Sequence, residues 1–270
     1  MPKFEILCVT MNQHDFSKIK EMNIHSNVVF ANQCDHTLYE EDTFDGHTAK
    51  MISTQTRGVG INRNLALTYA SADICLFADD DVVYADDMEE RVVAEFDAHP
   101  DADIFIFHLD TDSDRKQVRY SKTKKCGPFT RMPWGGFRVA VRLNSIKKAN
   151  VWFTSLFGGG CLFPSGEDSM WLADAKKKGL TFYVSKETIG KVSFEKSTWF
   201  TGINEKFFFA KGAYYAAVHP KTACFWMLYF AWRTKNFSKM SIKDKIQWMR
   251  LGRKGYEQMT PYEKICSCEH

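Results

Sequence analysis

The sequence predicts an α/β protein with a Rossmann-like, mostly parallel central sheet and helices on both faces. Three observations carry this reading. Apolar runs of strand length alternate with helical segments through roughly the first hundred residues. The chain has 270 residues, enough for one large α/β domain or a domain with an appendage. Its 44% hydrophobic and 26% charged content is ordinary for a globular chain, which excludes disordered, collagenous and low-complexity classes.

Each element has its own signal. Phe4 to Thr10 reads as a buried strand, followed by the polar stretch Asn12 to Asp15 and a helical stretch through Met22. Asn27 to Ala31 is a second strand. Between Gly60 and Ser71 the spacing of Ile61, Leu65, Leu67, Tyr69 and Ala70 suits a helix, and Ile74 to Ala78 is a strand that stops at three aspartates. Ala85 to His99 is a helix and Ile104 to His108 a strand. From Ser113 to Gly160 no regular pattern is assigned, because polar turns and the glycine pairs near Trp134 and Gly159 interrupt every periodicity. Ser165 with Asp168 is a capping-box pattern opening a helix that Gly179 closes; Thr181 to Val184 is a short strand and Asn204 to Val218 a helix.

Aromatic content is 14%, with 22 Phe and 7 Trp, more than a minimal core needs and in keeping with surfaces that stack on rings, sugars or lipid headgroups. No apolar run of signal-peptide length follows Met1, and the eight Cys are scattered, several in apolar stretches; a cytoplasmic, reducing location is expected. Cys266 and Cys268 lack the partners that zinc needs. The net charge of +3 is uneven, because Lys221 to Lys254 holds nine Lys or Arg against Asp244 alone. That basic tail points to an anionic partner.

Three segments carry candidate chemistry. At the end of an apolar strand, Asp79, Asp80 and Asp81 repel one another, a conflict that a hard divalent cation, Mg²⁺ or Mn²⁺, resolves with oxygen ligands. A solvated acidic turn is the structural alternative. Upstream, Arg57-Gly58-Val59-Gly60-Ile61-Asn62-Arg63 leads into a helix and could offer guanidinium forks and backbone N–H groups to a diphosphate, or be an ordinary glycine-broken loop. A dinucleotide fingerprint is excluded, since Arg63 stands where its third glycine belongs. The third segment runs from Gly158-Gly159-Gly160 to Gly166-Glu167-Asp168 and Trp171: glycines that let a sugar approach the backbone, then paired carboxylates at a helix start, one of them a general base. Asp168 could equally be only a helix cap.

In this order and spacing, joined by Thr10-Met11-Asn12 after the first strand and by Trp199-Phe200 before Asn204-Glu205-Lys206, the segments resemble the family 2 inverting glycosyltransferases of GT-A fold, particularly the bacterial surface-polysaccharide type. The resemblance covers Phe4 to Val218. It implies that Thr10, Asn12, Asn32 and Gln33 lie near the nucleotide base and that Arg57 and Arg63 serve the nucleotide or its diphosphate. It also implies that Asp81 ligates the metal and that Asp168 is the base. The aspartate triplet aligns in two registers, so the ribose contact falls to Asp79 or Asp80. Gly159, Glu167, Trp134, Trp171 and Trp199 would serve the acceptor, the tryptophans by stacking on sugar faces, unless they belong to a core.

The implied organisation is a transferase domain over 1–218, its nucleotide-sugar half ending near residue 110, followed by a helical, aromatic and basic extension over 219–270. The implied reaction moves a sugar from a nucleotide diphosphate, a UDP-sugar, to a glycan or lipid-linked saccharide in capsular polysaccharide biosynthesis. Ala223 to Trp232, about half the length of a spanning helix, followed by Arg233, Lys235, Lys239, Lys243, Lys245 and Arg250, reads as a peripheral anchor for an anionic membrane face. A helix pair packing on the domain, or a dimer contact, is the alternative. No nucleic-acid partner is expected. Two other classes compete: a Mg²⁺-dependent sugar nucleotidyltransferase, which should carry a basic glycine-rich loop where Met11 to Asp15 stands, and a non-catalytic carbohydrate-binding module, which needs neither acidic pair.

Overall fold

The computed structural model describes residues 2–111, 118–127, 130, 135–192, 202–236 and 238–267. Its first half holds β1 (Phe4–Met11), α1 (Lys18–Glu21), β2 (Asn27–Gln33), β3 (Leu38–Phe44), β4 (His47–Thr54), α2 (Val59–Tyr69), β5 (Ile74–Asp79), β6 (Val82–Tyr84), α3 (Met88–Ala98) and β7 (Ile104–Thr111). Then come β8 (Lys124–Lys125), a 3₁₀ turn at Gly136–Arg138, β9 (Val139–Arg142), α4 (Leu143–Lys148), α5 (Glu167–Lys177) and β10 (Phe182–Val192). The chain closes with α6 (Glu205–Val218), α7 (Ala223–Arg233), α8 (Ile242–Glu257) and α9 (Tyr262–Ser267).

The strands form one sheet in the order β3-β4-β2-β1-β5-β9-β7-β10-β6, with β8 beside β10. Adjacent strands β4, β2, β1 and β5 are parallel, as are β7 and β10. Strands β3, β6, β8 and β9 run against their neighbours, so the sheet is α/β as expected but more mixed than the sequence pattern implied. β9 is four residues long and takes its place from pairing on both sides, β5 and β7, rather than from any periodicity of its own.

The chain separates into two compact units. The first contains the sheet: residues through Arg57, Ile61–Phe153, and Trp171 through β10. Alternation along its strands builds two cores. Ile6, Cys8, Phe30, Leu76 and Ala78 join Val92 and Phe96 of α3 on one face, whereas Phe77 faces the other way onto Phe153 and Trp171. The second unit holds Gly58–Gly60, Thr154–Met170 and the helices α6 to α9. Within it α6 and α8 pack backbone to backbone: a Cβ on Gly212 would lie 1.9 Å from the Met249 carbonyl oxygen, and one on Gly252 equally close to that of Phe209. Among the described residues there is no disulfide, and Cys8, Cys34 and Cys75 are buried, in keeping with the reading of small apolar side chains.

Candidate functional site

In the sheet unit, four parallel strands finish level with one another. Met11 pairs with Gln33, Gln33 with Thr54, and Val9 with Asp79, so the carboxyl ends of β1, β2, β4 and β5 share one edge. Ligands of open α/β sheets bind at such an edge. The candidate residues of the first eighty positions gather there.

The edge is tied together by hydrogen bonds that the sequence does not announce. Asn12 takes a left-handed backbone, φ 52°, and its N–H donates to the Gln33 carbonyl at 2.9 Å. Asn32 is fully buried: its Oδ1 accepts from Gln13 N at 3.1 Å, and its Nδ2 donates to the Gln13 carbonyl and to Ser53 Oγ, each at 2.9 Å. It therefore acts on a ligand only through the Gln13 backbone it holds. Gln33 is also buried, while exposed Arg57 donates from its NH1 nitrogen to the Cys34 carbonyl at 3.1 Å.

The three aspartates meet different environments. Asp79 accepts from the buried guanidinium of Arg63 at 2.9 Å, and that guanidinium also lies 5.4 Å from the centre of the Phe153 ring. Asp80 accepts from the Thr10 hydroxyl at 2.5 Å, and Lys18 Nζ donates to its main-chain carbonyl at 3.4 Å. Asp81 has neither kind of support: its Oδ1 is buried without a hydrogen-bond partner among the described residues. Burial, then the charges of Asp79 and Asp80, push its carboxyl up to about 6. Lys18 was missed by sequence reading because a lysine in a short polar helix has no distinguishing pattern.

Carboxylate oxygens are the donors that a hard divalent cation takes, although the ligand atoms of the three aspartates do not all converge within 4.8 Å of one another. An orphaned carboxylate oxygen next to two further carboxylates offers oxygen ligands of the kind that Mg²⁺ or Mn²⁺ takes, and the buried Cys8 thiol lies within electrostatic reach of all three. Asp81 would be the principal ligand, since Arg63 and Thr10 already engage its neighbours. Cys34, Asp35 and His36 bring ligand-type atoms within 4.8 Å of one another. Internal bonds account for that convergence: Cys34 Sγ donates to the His36 carbonyl, and His36 Nδ1 lies 2.8 Å from Asp35 Oδ1.

The second unit holds the glycine run and the acidic pair. Gly158 N–H donates to the Phe163 carbonyl at 2.8 Å, and buried Gly159 accepts from Val59 N–H at 3.0 Å. Gly158 has φ +114°, and a Cβ there would lie 2.8 Å from the Val59 side chain and 3.1 Å from the Glu167 carboxylate. Only glycine lets that carboxylate lie against the turn. Glu167 and Asp168 open α5, where their charges favour the helix N-terminus. Glu167 is also within electrostatic reach of Lys211 on α6, an ammonium packed 5.5 Å from the ring centres of both Phe207 and Tyr214. Burial lowers the Lys211 pKa and Glu167 works against that shift. Its signal was legible, a single cation within Phe207-Phe208-Phe209-Ala210-Lys211-Gly212-Ala213-Tyr214-Tyr215, but it went unread.

Trp171 corrects the sequence reading. It is 2% exposed, stacked on Phe153 at 5.2 Å and edge-on to Phe77, so it is a core residue rather than a platform for a sugar. Trp134 and Trp199 lie outside the described residues.

Two kinds of similarity to known proteins bear on this geometry. Residues 28–156 match the model of glycosyl transferase family 2. That matched segment is similar to the family 2 glycosyltransferases. The fold of this chain is similar to that of S. aureus TarS, residues 1–349, at 15% identity over 96% of this chain and 93% of that one, with a TM-score of 0.57. The same TarS segment in complex with UDP-GlcNAc gives a TM-score of 0.60, and in complex with UDP 0.58, at the same identity and coverage. The fold is thus GT-A. A search of curated protein sequences finds no match.

Proposed function

We propose that this chain is an inverting, metal-dependent hexosyltransferase that moves a sugar from a UDP-sugar to a saccharide or lipid-linked saccharide in capsular or other surface-polysaccharide assembly. The observation that carries the reading is the set of carboxylates at the carboxyl edge of β1, β2, β4 and β5, with Asp81 Oδ1 buried and unpartnered. The UDP-GlcNAc and UDP bound by the similarly folded TarS support the donor class.

In this mechanism the protein's groups divide the work. Thr10, Asn12 and Gln33 form the floor for the base, Asn32 holds that floor, and Asp80 or Asp79 receives the ribose. Arg57 and Arg63 supply positive charge toward the diphosphate, Arg63 from its pair with Asp79. A divalent ion held by Asp81 would stabilise the departing diphosphate. Asp168 accepts the acceptor hydroxyl proton as that oxygen attacks the anomeric carbon, and a single displacement inverts the centre. Glu167, held against the Gly158 turn, and Gly159 orient acceptor hydroxyls. A lipid-linked acceptor places the enzyme at the inner face of the cell membrane.

Incubating the protein with UDP-sugars and Mn²⁺, with and without acceptor extracts, tests the reading. Acceptor-dependent UDP release that EDTA abolishes is the expected result. Release of pyrophosphate from a nucleoside triphosphate and a sugar phosphate would instead establish the nucleotidyltransferase, and binding without turnover the carbohydrate module.

A further inference from the structure

Helix α7 presents two apolar faces, of which one is used. Ala223, Met227 and Ala231 are at most 2% exposed and pack with Phe208 and Met249 inside the second unit. On the outer side Phe225, Leu228, Tyr229 and Trp232 are 62%, 53%, 40% and 60% exposed. Leu228 and Tyr229 lie three and four residues after Phe225, and Trp232 lies four and three after them, which makes a continuous stripe along the helix. Four large side chains held in water on one short helix form a patch of the kind that marks an interaction surface.

Charge selects the partner. From Lys206 to Lys243 the chain has seven Lys or Arg and no Asp or Glu. Lys221 before α7, Arg233 at its last residue, and Lys235, Lys239 and Lys243 after it are exposed. The Arg233 guanidinium donates to Tyr229 Oη at 3.2 Å, which sets a cation beside the stripe. Lys245 is an exception: it is buried, and its Nζ donates to the Thr234 carbonyl at 2.6 Å, so it closes the end of α7 instead of offering charge outward. Two copies meeting through this stripe would bring like charges together. An anionic lipid surface satisfies the rings and the cations at once. Eleven residues span about 16 Å, well short of a bilayer's hydrocarbon core, so the helix lies along the surface.

We propose that α7 is a docking helix that seats Phe225, Leu228, Tyr229 and Trp232 in the interface of an anionic bilayer, with the flanking Lys and Arg side chains on lipid phosphates. This gives the membrane placement in the functional reading a physical surface, and it is testable without any turnover. Flotation of the full chain with phosphatidylcholine vesicles, with and without phosphatidylglycerol, is the experiment. The chain should float with the anionic vesicles at least about tenfold better than with neutral ones, and raised salt should weaken the effect. The variant Phe225→Ser/Leu228→Ser/Trp232→Ser should keep the parent's thermal midpoint and stay at the bottom of the gradient. If it unfolds, the charge reversal Lys235→Glu/Lys239→Glu, confined to exposed side chains, is scored the same way. A parent chain that fails to float on anionic vesicles overturns the proposal, as does a folded variant that floats equally well. So does a parent dimer that the triple variant dissociates while vesicle binding is absent, because the stripe is then a contact between copies. Loss of UDP release with flotation intact would count against the transferase reading alone.

Discussion

Arg63 holds Asp79. A guanidinium 2% exposed lies 2.9 Å from one carboxylate oxygen of an acidic triplet, so one of the three repelling charges is neutralised from beneath the sheet edge. Truncating it leaves a partly buried carboxylate beside two others. Arg63→Met is expected to destabilise the fold by on the order of 3 kcal/mol and to weaken UDP binding. Urea denaturation with a parallel UDP titration checks both, and an unchanged midpoint would show that the pair is dispensable.

Asp81 has no such partner, and two opposite consequences follow. With a metal as cofactor, Asp81→Asn should abolish most UDP release. In the metal-free protein the same change should stabilise. The carboxyl, raised to about 6 in the fold, binds its proton more tightly there than in the unfolded chain. Its contribution therefore falls as pH rises from the ordinary aspartate value, about 4, through about 6. Thermal melts in EDTA should put Asp81→Asn up to about 6–12 °C above the parent at neutral pH, with the gap closing below about pH 4. An equal gap at both pH values would refute this account.

Asp168 and Glu167 are separable by conservative substitution. Asn caps a helix nearly as well as Asp but cannot take a proton. Asp168→Asn should lose about 10²–10⁴-fold in turnover with UDP affinity little changed. Glu167→Gln should instead raise the acceptor KM. A collapse confined to Glu167→Gln would reverse the assignment.

A Cβ added to Gly212 would lie 1.9 Å from the Met249 carbonyl oxygen, closer than any Cβ tolerates, and the neighbour is backbone. Gly212→Ala should force α6 and α8 apart and lower stability, although alanine is the better helix former by about 1 kcal/mol. A thermal midpoint at or above the parent's would show that the two helices separate without penalty.

Trp171→Ala should cost about 3–5 kcal/mol of stability, as for other large core truncations. The acceptor KM of the folded fraction should stay at the parental value. A selective loss of acceptor affinity would restore Trp171 to the sugar site.

The sequence by itself determined the elements whose patterns are local. β1, β2, β5, α2, α3 and α6 follow from runs of apolar residues and their spacing, whereas α5 begins at Glu167, two residues beyond the Ser165 that the capping-box pattern takes as its cap. The aspartates at a strand end were legible for the same reason. The β3–β4 hairpin has a local signal too, the dipeptide Asp45-Gly46, and the structure gives both residues positive φ. Only the tertiary structure decided that β9 runs antiparallel between β5 and β7, that Trp171 lies in the core with Phe77 and Phe153, and that Lys245 closes α7 while its neighbours face solvent. It alone showed that Asp81 keeps one buried carboxylate oxygen, Oδ1, without a partner. The physical reason is common to all four: burial and pairing depend on residues distant in the chain, and a local pattern carries no information about which of them come into contact.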